Sequence, residues 1–309
     1  MPSKETIFKT LNQTCVAPNI IEPTLFPNTE TQPTTDSWYY SDLHNLFGET
    51  SFPTQPSFSA HIWQNLVMPT DKNQKRGTPK LTSTDINFYN AHITQITHPY
   101  TLDTHHYKNA KDFKLSRYAC WCMSRNNPNM IFSRTYFISP VIDPQMDFPT
   151  MNAWCYQFAR VNLREQLTKY EKIINAIAHK NKINFNEFRR LNRAALFGDS
   201  SKSHIAERND FYISHNTPLA DHMGAATLYE RTNALDRIIK NINQTQQITQ
   251  NKILEITFTE LNNTRIKMIK EQHIHPENDI FRLSAPQIQS KLMRTERDFI
   301  NQYAFEKLR

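Results

Sequence analysis

The sequence predicts an α+β fold in which a small α+β domain is followed by an all-α domain of long helices. Fourteen of the 17 prolines lie before residue 150, and the second half carries the whole formal charge of +7. Apolar residues recur every three or four positions in that half, a spacing typical of amphipathic helices. These shifts predict an extended or disordered arm over residues 1–34, the α+β domain over 35–148 and a basic helical domain over 150–309.

In the first half, prolines and turn residues separate short segments. Residues 17–36 are rich in Pro, Thr and Asn and predict an extended arm. A helix is predicted over residues 40–47, with Gly48 as its C-cap. Residues 69–80 carry several positive charges and predict a loop or a hairpin tip. Residues 131–142 are rich in β-branched and aromatic side chains and fit either a strand or a buried helix.

The second half is predicted to be nearly all helical. Residues 151–181 form one long amphipathic pattern. The segment Asn184–Glu187 resembles a capping box, and Gly198 is placed to close the helix that it opens. Thr217 followed by Pro218 predicts a further helix start. Additional helices are predicted over residues 225–242, 246–272 and 286–308.

The glycine count excludes two large classes of enzyme. The chain has only four glycines, and they are Gly48, Gly77, Gly198 and Gly224. Because no two of them lie close enough to share a loop, neither a G-x-G-x-x-G turn nor a Walker A loop exists. NAD-dependent enzymes and nucleotide-driven motors of the usual kinds are therefore excluded.

The cysteines predict buried thiols rather than a metal or disulfide framework. There are four, Cys15, Cys120, Cys122 and Cys155, and none forms a C-x-x-C pair. No zinc-ligand spacing accompanies them, so we expect no structural metal and no cofactor. The first residues lack the apolar region of a signal peptide, and no apolar run is long enough to span a bilayer. The expected location is the cytoplasm, without membrane association.

The basic half carries a concentrated set of cations of the kind that binds nucleic acid. Lys and Arg side chains release counterions when they neutralise phosphates. The expected DNA-binding residues of this half are Arg189, Arg190, Arg193 and Lys202. Arg189 and Arg193 are four residues apart and share one helix face. Two alternatives remain open, which are a solvated helix face and ion pairs from Asp199 or Glu207 to these arginines.

Several motifs resemble one known family. They are Leu115–Cys120 (LSRYAC), Thr135–Phe137 (TYF), the segments 38–48 and 58–66, and Leu219–Gly224 (LADHMG). These motifs resemble those of the bacterial DNA-damage-inducible protein D family. That family pairs an N-terminal BRO-N-like module with a helical C-terminal region. The resemblance spans residues 36–290 and implies a BRO-N-like α+β domain before the helical one.

The resemblance implies a non-enzymatic DNA-binding protein of the DNA damage (SOS) response. Its expected role is to regulate recombination or repair on single-stranded or unusual DNA. The resemblance also implies a recombinase filament as a partner and the nucleoid in the cytoplasm as the location. In the first half, the basic side chains expected to contact DNA are Lys72, Lys75, Arg76, Arg117, Arg125 and Arg134.

Two other functions remain as alternatives. One is an antirepressor-like module whose main partner is a protein. The other is a metal-dependent nuclease, with catalytic acids drawn from Asp199, Glu207, Asp210 and Asp221. The long amphipathic helices at 151–181 and 246–272 also predict a homodimer, because their apolar stripes can pair across a two-fold axis.

Overall fold

The structure is a computed structural model that describes residues 37–39, 83–98, 110–125, 131–245 and 248–304. The predicted arm at 1–34, the helix at 40–47 and the basic turn at 69–80 lie outside these ranges. Contacts divide the chain into two compact units. The first unit comprises Met1–Cys155 and Leu292–Arg309, and the second comprises Tyr156–Lys291. The domains predicted at 35–148 and 150–309 stay a prediction.

The first unit contains a small antiparallel sheet. Its strands are β1 (Ser37–Tyr39), β2 (Ile93–His98) and β3 (Ala110–Ser116), in the order β1-β3-β2. Trp38 of β1 and Ile93 of β2 both lie opposite Leu115 of the central strand. Because Leu115 is fully buried, this register turns one sheet face into the core. A sheet combined with helices agrees with the predicted α+β class.

Helices complete the first unit. They are α1 (Ser83–His92), α2 (Arg117–Arg125), α3 (Ile131–Ile142) and the start of α4 (Phe148–Lys180). The strand alternative for residues 131–142 is therefore wrong. Ile131, Thr135 and Ile138 are all buried, and their spacing of four and three residues gives a helical buried stripe. Pro140 lies in the last turn of this helix, which ends two residues later.

The second unit is built from the rest of α4 and the elements that follow. They are α5 (Phe185–Phe197), α6 (Lys202–Glu207), a 3₁₀ turn (Leu219–His222), α7 (Ala225–Gln244), α8 (Gln250–Gln272) and α9 (Ala285–Tyr303), which ends in the first unit. Helix α8 packs against both α5 and α7. Leu261 and Met268 of α8 are fully buried. Among the described residues, every helix is too short or too polar to cross a membrane.

Capping side chains set several helix boundaries. The Asn184 side chain accepts hydrogen bonds from the Asn186 and Glu187 amides, and Gly198 ends α5 in the left-handed conformation with φ 68°. The predicted ends of this helix are confirmed. Helix α8 begins four residues later than predicted because the Thr249 hydroxyl caps it.

The prediction that a helix starts at Thr217 and Pro218 is wrong. Pro218 precedes only a four-residue 3₁₀ turn, and the next long helix begins after Gly224. Met223 between them is extended, with ψ 146°, because it bridges to Ile280 in an isolated antiparallel pair. The segment that resembled the family motif is thus a bend between two elements.

That bend, Asp221–Gly224, is held by hydrogen bonds from two arginines of α4. Arg160 of α4 is fully buried and donates to the Met223 carbonyl over 2.8 Å and to the Leu283 carbonyl over 3.0 Å. Arg164, one turn later, donates to Asp221 Oδ1 over 2.7 Å. Because these bonds join distant segments, the polar residues here have a structural explanation.

The end of α9 completes the core of the first unit. Phe299 is fully buried, with its ring centroid 5.3 Å from that of Trp121 and 6.4 Å from that of Tyr118. The buried His92 ring lies 2.8 Å from the Ala304 carbonyl and 2.7 Å from the Ser116 hydroxyl. Residues 212 positions apart in sequence therefore share one core.

Candidate functional site

The arginines of α5 lie on the side of the helix away from the core. Phe188, Ala195 and Leu196 are buried, which leaves Arg189 and Arg190 exposed. Arg193 follows Arg189 by one turn and is half-buried. We call Arg189, Arg190 and Arg193 the α5 arginine cluster.

Arg193 is the member of the cluster whose side chain donates a hydrogen bond within the described part of the chain. Its Nε donates a hydrogen bond of 2.6 Å to the Ser200 carbonyl, in the turn that follows α5. Burial lowers the pKa of Arg193, and the positive charges of Arg189 and Arg190 lower it further. The three guanidinium groups are thus close enough to repel one another.

The two exposed arginines differ in their contacts. The Arg189 guanidinium lies 4.0 Å from the centroid of the Phe185 ring, one turn earlier on α5. Phe185 keeps 38% of its surface exposed, so this cation–π contact stands at the protein surface. Arg190 forms no side-chain hydrogen bond or ion pair within the described part of the chain. Sequence reasoning missed the Phe185 contact, although its four-residue spacing was a usable signal.

The acids expected as ion-pair partners do not neutralise the cluster. Asp199 Oδ2 lies 3.1 Å from Arg208 Nη2 and 3.6 Å from His204 Nδ1. Its other oxygen accepts a bond from the Ser201 amide over 2.8 Å. Neither Asp199 nor Glu207 forms an ion pair with an α5 arginine among the described residues, so that alternative is wrong.

Lys202 lies near the cluster, but its ammonium group holds a loop. The Nζ donates to the carbonyls of Ser214, His215 and Thr217, with Nζ–O distances of 2.9 Å to Ser214 and 3.0 Å to Thr217. Burial lowers its pKa, and the charges of Arg193 and Arg189 lower it further. Because an ammonium group has three donors, these bonds leave none for a phosphate.

In the first unit, two of the proposed DNA-binding arginines are engaged within the protein. The Arg117 guanidinium lies 4.8 Å from the centroid of the Trp38 ring and 5.9 Å from that of Tyr136. Arg134 forms an ion pair with Glu296, with an Nε–Oε1 distance of 2.8 Å. Both contacts join segments of the core, which gives these arginines a structural role.

Of the four other proposed DNA-binding residues of the first half, the structure describes Arg125 alone. Arg125 is exposed at the end of α2, with its guanidinium 5.1 Å from the centroid of the Trp121 ring. Of the proposed DNA-binding residues of this half that the structure describes, Arg125 is exposed, whereas Arg117 and Arg134 are partly buried. Lys72, Lys75 and Arg76 lie outside the described residues.

The acids proposed for a nuclease are dispersed. Asp221 is paired with Arg164, as Asp199 is with Arg208. Within the described ranges, no group of three or more His, Cys, Asp or Glu side chains is placed to hold a metal ion. Cys122 is buried, and burial raises the pKa of its thiol to about 12, so it stays protonated at neutral pH.

No protein-family model, curated protein or solved structure matches this chain. The resemblance to the DNA-damage-inducible protein D family therefore rests on the short motifs alone. Within the described residues, the α5 arginine cluster is a surface on which three positive charges lie close together without an ion-pair partner.

Proposed function

We propose that the chain is a non-enzymatic DNA-binding protein and that the α5 arginine cluster contacts the phosphate backbone. The observation that carries the proposal is that three guanidinium groups share one helix surface without a carboxylate partner among the described residues. Phosphates would neutralise this charge, and the counterions that they release would favour binding. The chemistry of the site fits a polyanion.

A role in the DNA damage response is part of the same proposal. It is supported by the LSRYAC, TYF and DHMG motifs and by the confinement of the net charge to the second half. We propose that the protein regulates recombination or repair on single-stranded or unusual DNA, with a recombinase filament as a partner and the nucleoid as its location. We further propose a homodimer, which light scattering at several protein concentrations tests directly.

The test is a double variant, Arg189→Gln with Arg190→Gln, compared with Lys169→Gln and Lys172→Gln on α4. The control removes the same charge from two exposed side chains. Fluorescence anisotropy is measured with single-stranded, duplex and forked oligonucleotides over a series of salt concentrations. Each lost phosphate contact reduces the slope of log K against log salt by about 0.7–0.9. We expect the α5 variant to lose about two contacts and the control to lose fewer.

Equal weakening in the two variants would contradict the proposal, because it would show a response to overall charge alone. Salt-insensitive binding would contradict it as well. The same oligonucleotides are incubated with Mg²⁺ and with Mn²⁺. Cleavage that disappears in Asp221→Ala would replace the non-enzymatic function with the nuclease.

A further inference from the structure

One hydrogen bond fixes the Arg193 guanidinium group and leaves its two terminal nitrogens available for a ligand. The Nε is fixed by the Ser200 carbonyl at 2.6 Å, and this carbonyl belongs to the turn between α5 and α6. The terminal nitrogens Nη1 and Nη2 have no hydrogen-bond partner among the described residues. Because the guanidinium group is planar, fixing Nε also fixes the direction in which the two terminal nitrogens donate.

The charges around Arg193 are unbalanced. Arg189, Arg190 and Arg231 each oppose its positive charge, and Asp199 favours it less than they oppose it. Arg231 is compensated by Glu171, whose Oε1 lies 2.8 Å from its Nη2. Arg189 and Arg190 have no such compensation. An anion at Arg193 would relieve this repulsion and replace the hydration that burial removed.

We propose that Arg193 is the anchor of the site and holds one phosphate group end-on through Nη1 and Nη2. This inference rests on the proposed function and deepens it. Two terminal guanidinium nitrogens match two oxygens of a phosphate group, which gives a bidentate contact with a defined direction. Arg189 and Arg190 are exposed, and they attract the backbone without fixing its position.

Inorganic phosphate and dimethyl phosphate are the probes, because the second carries the diester chemistry of a nucleic-acid backbone. Each is titrated at constant ionic strength, and the Nε–H signals of the arginines are followed by NMR. We expect saturable shifts at Arg193 with both probes. In Arg193→Lys the affinity falls about tenfold, since an ammonium group cannot donate in the bidentate arrangement. In the control, Arg208→Lys, the affinity is unchanged.

Several results would overturn the proposal. A linear, non-saturating response, or a saturable shift at Arg208 in place of Arg193, overturns it without any variant. An undiminished affinity in Arg193→Lys also overturns it. Saturation by inorganic phosphate alone overturns the assignment to the backbone.

The outcome for the proposed function is separate. DNA binding that depends on Arg189 and Arg190, without saturable phosphate binding at Arg193, removes the anchor and leaves the function in place. Saturable binding of both probes without any DNA binding leaves the phosphate site and removes the function. The two failures are therefore distinguishable.

Discussion

A Cβ atom added at Gly224 would lie 1.8 Å from Oδ1 of Asp279. The Gly224 amide also donates to the Asp279 carbonyl over 2.7 Å. The other carboxylate oxygen accepts bonds from the amide and the hydroxyl of Thr227, at 2.9 and 2.7 Å. Asp279 thus satisfies an otherwise unpaired amide in the first turn of α7. Gly224 is required here for space, since its φ of −71° suits any residue.

Gly224→Ala should destabilise the protein by about 1–3 kcal/mol, because the added methyl group must displace a carboxylate held by Thr227. Urea denaturation of the full chain measures the loss. In the Asp279→Ala background the same substitution should cost much less, since the obstructing carboxylate is gone. Equal costs in the two backgrounds would show that the methyl group does not contact Asp279.

Asp279 should also make stability depend on pH. Burial raises the pKa of its carboxyl above the ordinary value, and the bonds from Thr227 and Tyr156 offset only part of this. The folded state then binds the proton more tightly than the unfolded state does. The contribution is fully present below the unfolded pKa of about 3.9 and is lost as the pH rises through the higher folded value.

The measurement is the free energy of unfolding between pH 4 and pH 7. Asp279→Asn should flatten this profile, because it removes the titrating group. Asp210→Asn is the control. It changes an exposed residue at φ 58°, a conformation that Asn tolerates well. A profile equally steep in both variants would contradict the assignment to Asp279.

Features that depend on residues close together in sequence were the ones best predicted from the sequence. Helix α5 is an example, because Asn184 caps its start and the φ of Gly198 ends it, both through local bonds. The α5 arginine cluster follows from the same helix and was predicted with it. The role of Lys202 was not predictable, because its three carbonyl partners come from a loop 12 to 15 residues away.

The first unit is built from segments that lie far apart in the chain, and sequence alone could not predict that they come together. A helix near residue 286 was predictable from its periodicity. Nothing local shows that its final turns pack beside Trp121, since this depends on tertiary contacts between segments far apart in sequence. The acidic partner of Arg134, Glu296, comes from the same distant helix.

Phe299→Ala should therefore destabilise the first unit although it lies near the end of the chain. Loss of a fully buried Phe typically costs about 3–5 kcal/mol. Tryptophan fluorescence during denaturation reports the change, because the Trp121 ring lies 5.3 Å away. Met293→Ala on the same helix is the control and should cost little, since Met293 is 64% exposed. Similar costs for both would contradict the described packing.

Lys202→Met separates the two roles that a lysine beside a cationic cluster can have. If the ammonium holds the loop, its removal frees the Ser214 and Thr217 carbonyls, and the loop opens more often. Tyr212, just before this loop, is 78% exposed and offers a chymotrypsin site. We expect cleavage after Tyr212 to become about tenfold faster, since one bond to a charged donor is worth about 1.5–3 kcal/mol.

DNA affinity distinguishes this role from a direct phosphate contact. The DNA affinity should change in Lys202→Met no more than in the control Lys169→Met, because the Lys202 ammonium group donates its hydrogen bonds to backbone carbonyls. Lys169 is an exposed lysine of α4 whose removal takes the same charge from the second unit. Unchanged cleavage after Tyr212, with a loss of affinity equal to that of the Arg189 and Arg190 variant, would instead make Lys202 a phosphate ligand. The Lys202 ammonium group would then donate to DNA, and a different contact would have to hold the loop that contains Ser214, His215 and Thr217.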